Sequence, residues 1–237
     1  MRPPFDWWRT VFFLIPSIAV YTLVLGTLSV ASSFVDDRGG FAHRCARLWS
    51  WLILVTTGVR VDVTGREHAP PDRSYVFVAN HQSIYDIPIV FWSLPHQLRI
   101  IAKASLGSFP VLGAHLRRTG HLLVDRRHTS GATLKQVAEL LRRGASLIVF
   151  PEGTRSLDGR VGRFKGGIFM LAIEAGLPIV PVSIGDSRHV MTKGRLMTCP
   201  GRVRLTIHPP LSTAGLGVAD AKALADRARA IVADTAR

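Results

Sequence analysis

The sequence predicts an α/β domain with a mostly parallel or mixed central sheet flanked by helices, preceded by an N-terminal membrane-anchoring two-helix segment. Three observations lead there. From Val59 onward, short β-branched runs alternate with amphipathic stretches, the pattern of strands separated by helices. Thr10 to Val35 carries no charge at all. The 237 residues are 47% hydrophobic and only 19% charged, which suits one sizeable core and contact with a membrane, and excludes a disordered chain.

The uncharged segment would form a helix about 39 Å long, more than the ~30 Å hydrocarbon layer of a bilayer. It is far longer than the apolar part of a signal peptide. Pro16 is expected to kink or start this helix. Asp36 to Gly40 reads as a turn. A second helix follows from Phe41 to Gly58, with Arg44 and Arg47 early and Leu48 to Val55 apolar. That apolar part is too short to span a bilayer, and Trp7, Trp8, Trp49 and Trp51 suit the interface. Basic residues flank both segments. The expectation is a helical pair, residues 1–58, that dips into one leaflet from the cytoplasmic side of the inner (plasma) membrane. A single spanning helix is the competing picture.

Residues 59–237 form the second unit. Val59 to Val63 alternates like a half-exposed strand. Tyr75 to Ala79 is continuous and buried in character. Ile84 to Leu94 reads as a helix, Arg99 to Ala102 and Leu122 to Val124 as short strands. Ser130 to Arg143 is amphipathic, with Leu134, Val137, Leu140 and Leu141 on one face. Ser146 to Phe150 is a buried strand, and Lys165 to Ala175 a helix ended by Gly176. Leu177 to Ile184 is a strand whose Pro178 and Pro181 predict an edge or a bulge. Val203 to Ile207 is the last strand, and Ala219 to Ala233 an Ala-rich helix that closes the core. The strand order does not follow from the sequence.

Thirty lysines and arginines against 16 acidic residues leave a net charge of +14, which calls for an anionic partner. The two cysteines, Cys45 and Cys199, form no C-x-x-C pair and read as reduced thiols. The sequence has no G-x-S-x-G elbow, P-loop or G-x-G-x-x-G. It also lacks H-E-x-x-H and any Cys/His metal framework. No side-chain nucleophile stands out, so direct transfer between two bound substrates is expected, with no metal or cofactor.

Two clusters carry the chemistry. In Asn80-His81-Gln82-Ser83-Ile84-Tyr85-Asp86, a histidine ends an apolar run and a carboxylate follows. On one helix the two side chains would lie roughly 140° apart. They meet if His81 sits in the loop and the helix starts near Ser83, which makes His81 a general base steadied by Asp86. Ser83 and Asp86 also form a helix-capping pattern, under which Asp86 is purely structural. In the second cluster, Glu152-Gly153-Thr154-Arg155-Ser156 follows another buried strand. Arg155 can grip a phosphate with two N–H bonds, Gly153 allows close backbone approach, and Glu152 would orient Arg155 or meet an acceptor hydroxyl. Arg163 and Lys165 add charge before a helix. Asp125-Arg126 and Lys103 follow two further strands.

With these residues in place, the chain resembles the glycerolipid acyltransferase family, specifically the 1-acyl-sn-glycerol-3-phosphate acyltransferases. The likeness covers roughly Val59 to Pro210. Its blocks are Asn80-His81 through Asp86, Gly120 through Arg126 (with Leu123-Val124 in place of Phe-Ile), Glu152 through Ser156 followed by Phe164-Lys165, and Val180-Pro181-Val182. The resemblance implies acyl transfer from a fatty acyl thioester, acyl-CoA or acyl-carrier protein, to the hydroxyl of a lysophospholipid. His81 and Asp86 would be catalytic. Lys103, Arg126, Glu152, Gly153, Thr154, Arg155 and Lys165 would form the substrate-binding set, and Val180, Pro181 and Val182 would shape a groove for the acyl donor or chain. Membrane lipids would be further partners. Another lysolipid or glycerol 3-phosphate is the alternative acceptor. A non-catalytic basic membrane protein or a nucleic-acid binder is the alternative class, and no nucleic-acid recognition motif accompanies the charge.

Overall fold

The computed structural model describes residues 4–36, 38–124, 131–142 and 145–236. The chain opens with α1 (Phe5–Arg9), a π-helical turn (Thr10–Leu14) and α2 (Ile15–Ser32), one continuous apolar rod. The helix therefore starts at Phe5, not at Pro16. The proline ring would clash with the carbonyl four residues back and offers it no N–H. The wider π turn just before it, in which the Ile15 N–H reaches back to the Thr10 carbonyl, makes room for it.

α3 (Gly40–Thr57) follows and ends at Gly58, whose φ of 75° suits a residue without Cβ. β1 (Val59–Thr64), β2 (Val76–Ala79), α4 (Asp86–Ser93) and β3 (Leu98–Lys103) come next. They are followed by α5 (Pro110–Arg118), β4 (Leu122–Val124), α6 (Gly131–Arg142) and β5 (Ser146–Val149). The remainder is α7 (Gly167–Glu174), β6 (Ile179–Gly185), the single turn α8 (Ser187–Val190), β7 (Gly201–Ile207) and α9 (Ala221–Thr235).

Among the described residues, seven strands lie in the order β1-β7-β6-β2-β5-β3-β4. All neighbours are parallel except β6 and β7, which run antiparallel, so the sheet is mixed. Strand side chains alternate between two cores, as the period of 2 requires. Phe77, Ala79, Ile148 and Val180 face the core shared with α3, α4 and α5. Val76, Val78, Leu147 and Ile179 face the core shared with α6, α7 and α9. Full burial of a side chain such as Phe77 contributes roughly 1.5–3 kcal/mol.

The prolines of the sixth strand predicted an edge or a bulge. β6 is instead central and buried throughout, between β2 and β7. The ladder explains why Pro181 is tolerated. Ile179 exchanges both backbone bonds with Leu211, and pairing with β7 begins at Val182 opposite Ile207. Pro181 lies between these, opposite the departing His208-Pro209-Pro210 turn. Its carbonyl accepts the His208 N–H at 3.0 Å, and no strand carbonyl there needs its missing N–H. The same burial bears on the groove expected at Val180, Pro181 and Val182. Val180 and Val182 are fully sealed and Pro181 is buried, so in this structure all three sit in the scaffold.

The N-terminal helices pack on the α4/α5 face: α2 against α3 and α5, α3 against α4 and β1. Polar ties pin them. Arg47 Nη1 donates to the Leu94 carbonyl at 2.8 Å, the Thr198 N–H to Thr10 Oγ1 at 2.8 Å, and Ser29 Oγ pairs with His115 Nδ1 at 2.7 Å. Their outer surface is apolar, with Phe12, Phe13, Leu23, Val24, Trp51 and Val55 exposed. Only 6% of the most apolar stretch of Phe5–Ser32 is buried inside the protein, which excludes an ordinary core helix. Cys45 and Cys199 are both free thiols.

Candidate active site

β2 and β5 are neighbours, but the chain leaves β2 for α4 on one face and leaves β5 for α7 on the other. The carboxyl ends of two such strands open a crevice where α/β sheets place ligands. Both sequence clusters lie there.

On the β2 side, Asn80 is fully buried. Its side-chain amide mimics one more rung of the sheet, donating to the Ile184 carbonyl and accepting the Ile184 N–H, each at 2.8 Å. This holds the chain as it turns from strand to loop. Asp86 is the first residue of α4 and fully buried, and His81 precedes it in the loop. His81 Nδ1 lies 2.7 Å from Asp86 Oδ2, and the same oxygen accepts the Gln82 and Ser83 N–H groups at 2.7 and 2.9 Å. The capping reading and the base-partner reading therefore describe one carboxylate. It closes the helix start and holds the imidazole.

The bond to Asp86 places the Nδ1 proton on that side, so the lone pair is on Nε2. Nε2 makes no hydrogen bond among the described residues and is not sealed from solvent. The ring is stacked on Phe150 at 4.2 Å between centroids and 24° between planes, and the residue keeps 7% exposure. The imidazole is thus fixed on one face and at one nitrogen, with the reactive nitrogen left available.

On the β5 side, Glu152 joins the two clusters. Its Oε1 accepts the His81 backbone N–H at 2.8 Å and its Oε2 accepts the Gly162 N–H at 2.9 Å. Burial pushes its carboxyl above the usual range, and the two N–H bonds pull partly back. Glu152 therefore braces the histidine loop rather than orienting Arg155. Two more ties join the loops. The Ser156 N–H donates to the His81 carbonyl at 2.7 Å, and Gln82 Nε2 to the Gly159 carbonyl at 2.9 Å. Gly153 has φ of 76°, so the tight turn favours a residue without Cβ, and the end of the Lys165 side chain lies close beside it.

Beside this knot is an open cavity of about 450 Å³, lined by Thr154, Arg155, Ser156, Arg160, Arg163 and Lys193 together with Glu152 and Asp158. The crevice thus brings together His81, Asp86, Glu152, Gly153, Thr154 and Arg155, with Lys165 exposed beside Gly153. Lys103 is exposed at the end of β3, on the same edge of the sheet but one strand beyond β5, and does not line the cavity. Arg126 and Asp125 lie outside the described residues. Sequence reasoning missed the structural role of Asn80, the Phe150 ring and Lys193. The only signal for Lys193 was one more cation following one more strand. Among the described residues, no three His, Cys, Asp or Glu side chains cluster as metal ligands would.

A carboxylate-held imidazole on a loop tied by Glu152 to the rim of a cationic cavity makes a transferase-type site that can activate a hydroxyl on an anionic molecule. A family model described as acyltransferase matches residues 60–185. The chain is 39% identical over 213 residues to 1-acyl-sn-glycerol-3-phosphate acyltransferase alpha of Mus musculus, covering 88% of this chain and 75% of that protein. To the Homo sapiens protein of the same name it is 34% identical over 212 residues, with 88% and 75% covered. The crystal structure of the 1-acyl-sn-glycerophosphate acyltransferase PlsC from Thermotoga maritima matches with a TM-score of 0.83 at 30% identity, covering 95% of this chain and 92% of that one. The chain belongs to the acyltransferase family.

Proposed function

We propose that this enzyme moves a fatty acyl group from an acyl thioester to the sn-2 hydroxyl of 1-acyl-sn-glycerol 3-phosphate, forming phosphatidate. The observation that carries the reading is the His81–Asp86 bond at 2.7 Å beside a cavity lined by Arg155 and Lys193. His81 Nε2 takes the hydroxyl proton as the oxygen attacks the thioester carbonyl. The tetrahedral intermediate collapses, the C–S bond breaks, and the imidazolium returns the proton to the departing thiolate. Asp86 stabilises the imidazolium in between. Arg155 holds the phosphate, helped by Lys165; the family resemblance adds Arg126 and Lys103, the latter one strand away from this cavity. Thr154 and Gly153 shape the turn that presents Arg155, and Glu152 keeps that turn in register with His81.

The apolar outer surface of the N-terminal helices supports membrane association, which such a lipid acceptor requires. In this reading residues 1–58 are the anchor and 59–237 the catalytic domain. The pair dips into the cytoplasmic leaflet of the inner membrane, where acyl-CoA or acyl-carrier protein delivers the donor. A cysteine placed at residue 2 should be labelled from the same side of sealed vesicles as the C-terminus; labelling from opposite sides overturns the dip.

A screen of lysophosphatidate, lysophosphatidylcholine and glycerol 3-phosphate against each donor type tests the reaction. Phosphatidate from lysophosphatidate should be the fastest product. A faster rate with another acceptor replaces the assignment, and no transfer to any of them refutes it.

A further inference from the structure

We infer that Lys193 is a second ligand of the acceptor phosphate, opposite Arg155, and the clamp that holds the Thr154–Arg155 turn in place. The inference rests on the reaction proposed above. Lys193 lies beyond the 60–185 segment matched to the family, in the stretch that follows β6 and α8. It reaches back across the crevice. Its Nζ donates to Thr154 Oγ1 at 3.0 Å and to the Arg155 carbonyl at 2.9 Å. Arg188, from the same stretch, grips the Leu157 carbonyl with two N–H groups at 3.1 and 2.9 Å. The Met191 carbonyl accepts Ser83 Oγ at 2.9 Å. The segment after β6 is thus fastened to both the anion turn and the histidine loop.

Charge bookkeeping assigns the binding role. An ammonium has three N–H donors, and both acceptors here are neutral, so one donor and the full positive charge remain. Lys193 is only partly exposed and lines the cavity, yet among the described residues no carboxylate pairs with it. Arg155 is also partly exposed on this cavity, and among the described residues no acid pairs with it. Of the two acids in the lining, Asp158 is engaged by Ser156 Oγ and Arg160, and both Glu152 oxygens accept backbone N–H groups. Two partly buried cations without counterions face one cavity, and a phosphate monoester brings about two negative charges at neutral pH. A cation held half-dry without a partner is unfavourable, and the bound phosphate removes that cost.

The test is steady-state kinetics on full-length Lys193→Met, Lys193→Gln and Lys193→Arg in detergent or vesicles, varying lysophosphatidate and acyl donor separately. The Met variant should raise the acceptor KM by about tenfold or more, as loss of a charge-assisted bond would. Its kcat and donor KM should stay near those of the wild type. The Gln variant keeps a donor for the clamp and should show the same acceptor shift, so it carries the test if the Met variant unfolds. The Arg variant should return to within about threefold of wild type, since it restores charge and donors. An unchanged acceptor KM in the Met and Gln variants overturns the inference. So does equal impairment of the Arg variant, or a fall in kcat with both KM values rising together, which marks a purely structural clamp. Wild-type protein inert toward lysophosphatidate refutes the reaction itself, a result separate from any difference among these variants.

Discussion

The two walls of the crevice are built on opposite principles. On the β2 wall, Asp86 and Asn80 are fully buried, and their polar contacts are short, 2.7 to 2.9 Å. On the cavity wall, Thr154 and Arg163 are exposed, and the Arg160 side chain is 90% exposed. The difference suits the role proposed for each wall. A base must hold one nitrogen within hydrogen-bond reach of one proton, and a misplacement of about 1 Å can cost 10²-fold in rate. An anion is attracted over longer distances, from any of several directions, and flexible cations near water serve that purpose. Rigidity is concentrated where geometry matters to the rate, and charge is spread where only affinity is at stake.

Four variants break or sharpen this contrast. The largest effect is expected from His81→Ala, which removes the proposed base: kcat should fall about 10²–10⁴-fold with little change in the acceptor KM. Normal activity in that variant, with its fold confirmed by circular dichroism, would remove the histidine from the mechanism. Next comes Asp86→Asn. It deletes the charge that stabilises the imidazolium and rewires an oxygen that accepts three bonds. A drop in kcat of about 10²-fold should accompany a lower melting temperature, since a disrupted buried network costs about 1–3 kcal/mol. Loss of stability with no loss of rate would leave Asp86 as a helix cap alone.

Glu152→Gln should have a smaller effect, because it replaces one of two accepting oxygens with an amide that faces a backbone N–H. Its cost should be about 1–3 kcal/mol in thermal or urea unfolding, with only a several-fold loss of kcat. The pH dependence adds a second readout. Burial raises the folded-state pKa of Glu152 above its reference of 4.5, so the folded protein retains this proton at a pH where the unfolded chain has lost it. Its contribution to stability is therefore greatest in acid and declines as pH rises from 4.5 through the raised value. The Gln variant should lack that slope, which wild-type and mutant unfolding curves at several pH values will reveal.

Smallest in its effect on chemistry is Arg155→Ala. Here the acceptor KM should rise about tenfold while kcat holds, and added salt should blunt the wild-type advantage by screening. An unchanged KM would take the phosphate away from Arg155. An equal fall in kcat would place this residue with the rigid wall.

Much of the fold was legible in the sequence. Short apolar runs marked every strand of the sheet: β1, β3 and β7 alternate because one face is more open, while β2, β5 and β6 are buried on both faces and read as continuous. The His81–Asp86 pair was legible for a local reason: five residues spanning a loop-to-helix turn can meet without help from elsewhere. Pro181 misled because a proline is excluded from a ladder only where its N–H is needed, and the turn at His208 relieves that need from far along the chain. Val180, Pro181 and Val182 were assigned to a groove by resemblance, yet their side chains are sealed in the core. The brace made by Glu152 and the reach of Lys193 were illegible, since each joins loops from strands distant in sequence.

By itself the sequence determined the pieces: apolar helices whose outer face is water-avoiding, strands of fixed alternation, and a base or cation placed just after several of them. Those are short-range properties, set by burial and backbone geometry within a few residues. Only the tertiary structure decided that β2 lies beside β5 with β6 on its other flank. Backbone ladders pair any strand with any other, so the order is chosen by how the two cores fill. That order alone brings the imidazole, the glutamate brace and the cations to one crevice.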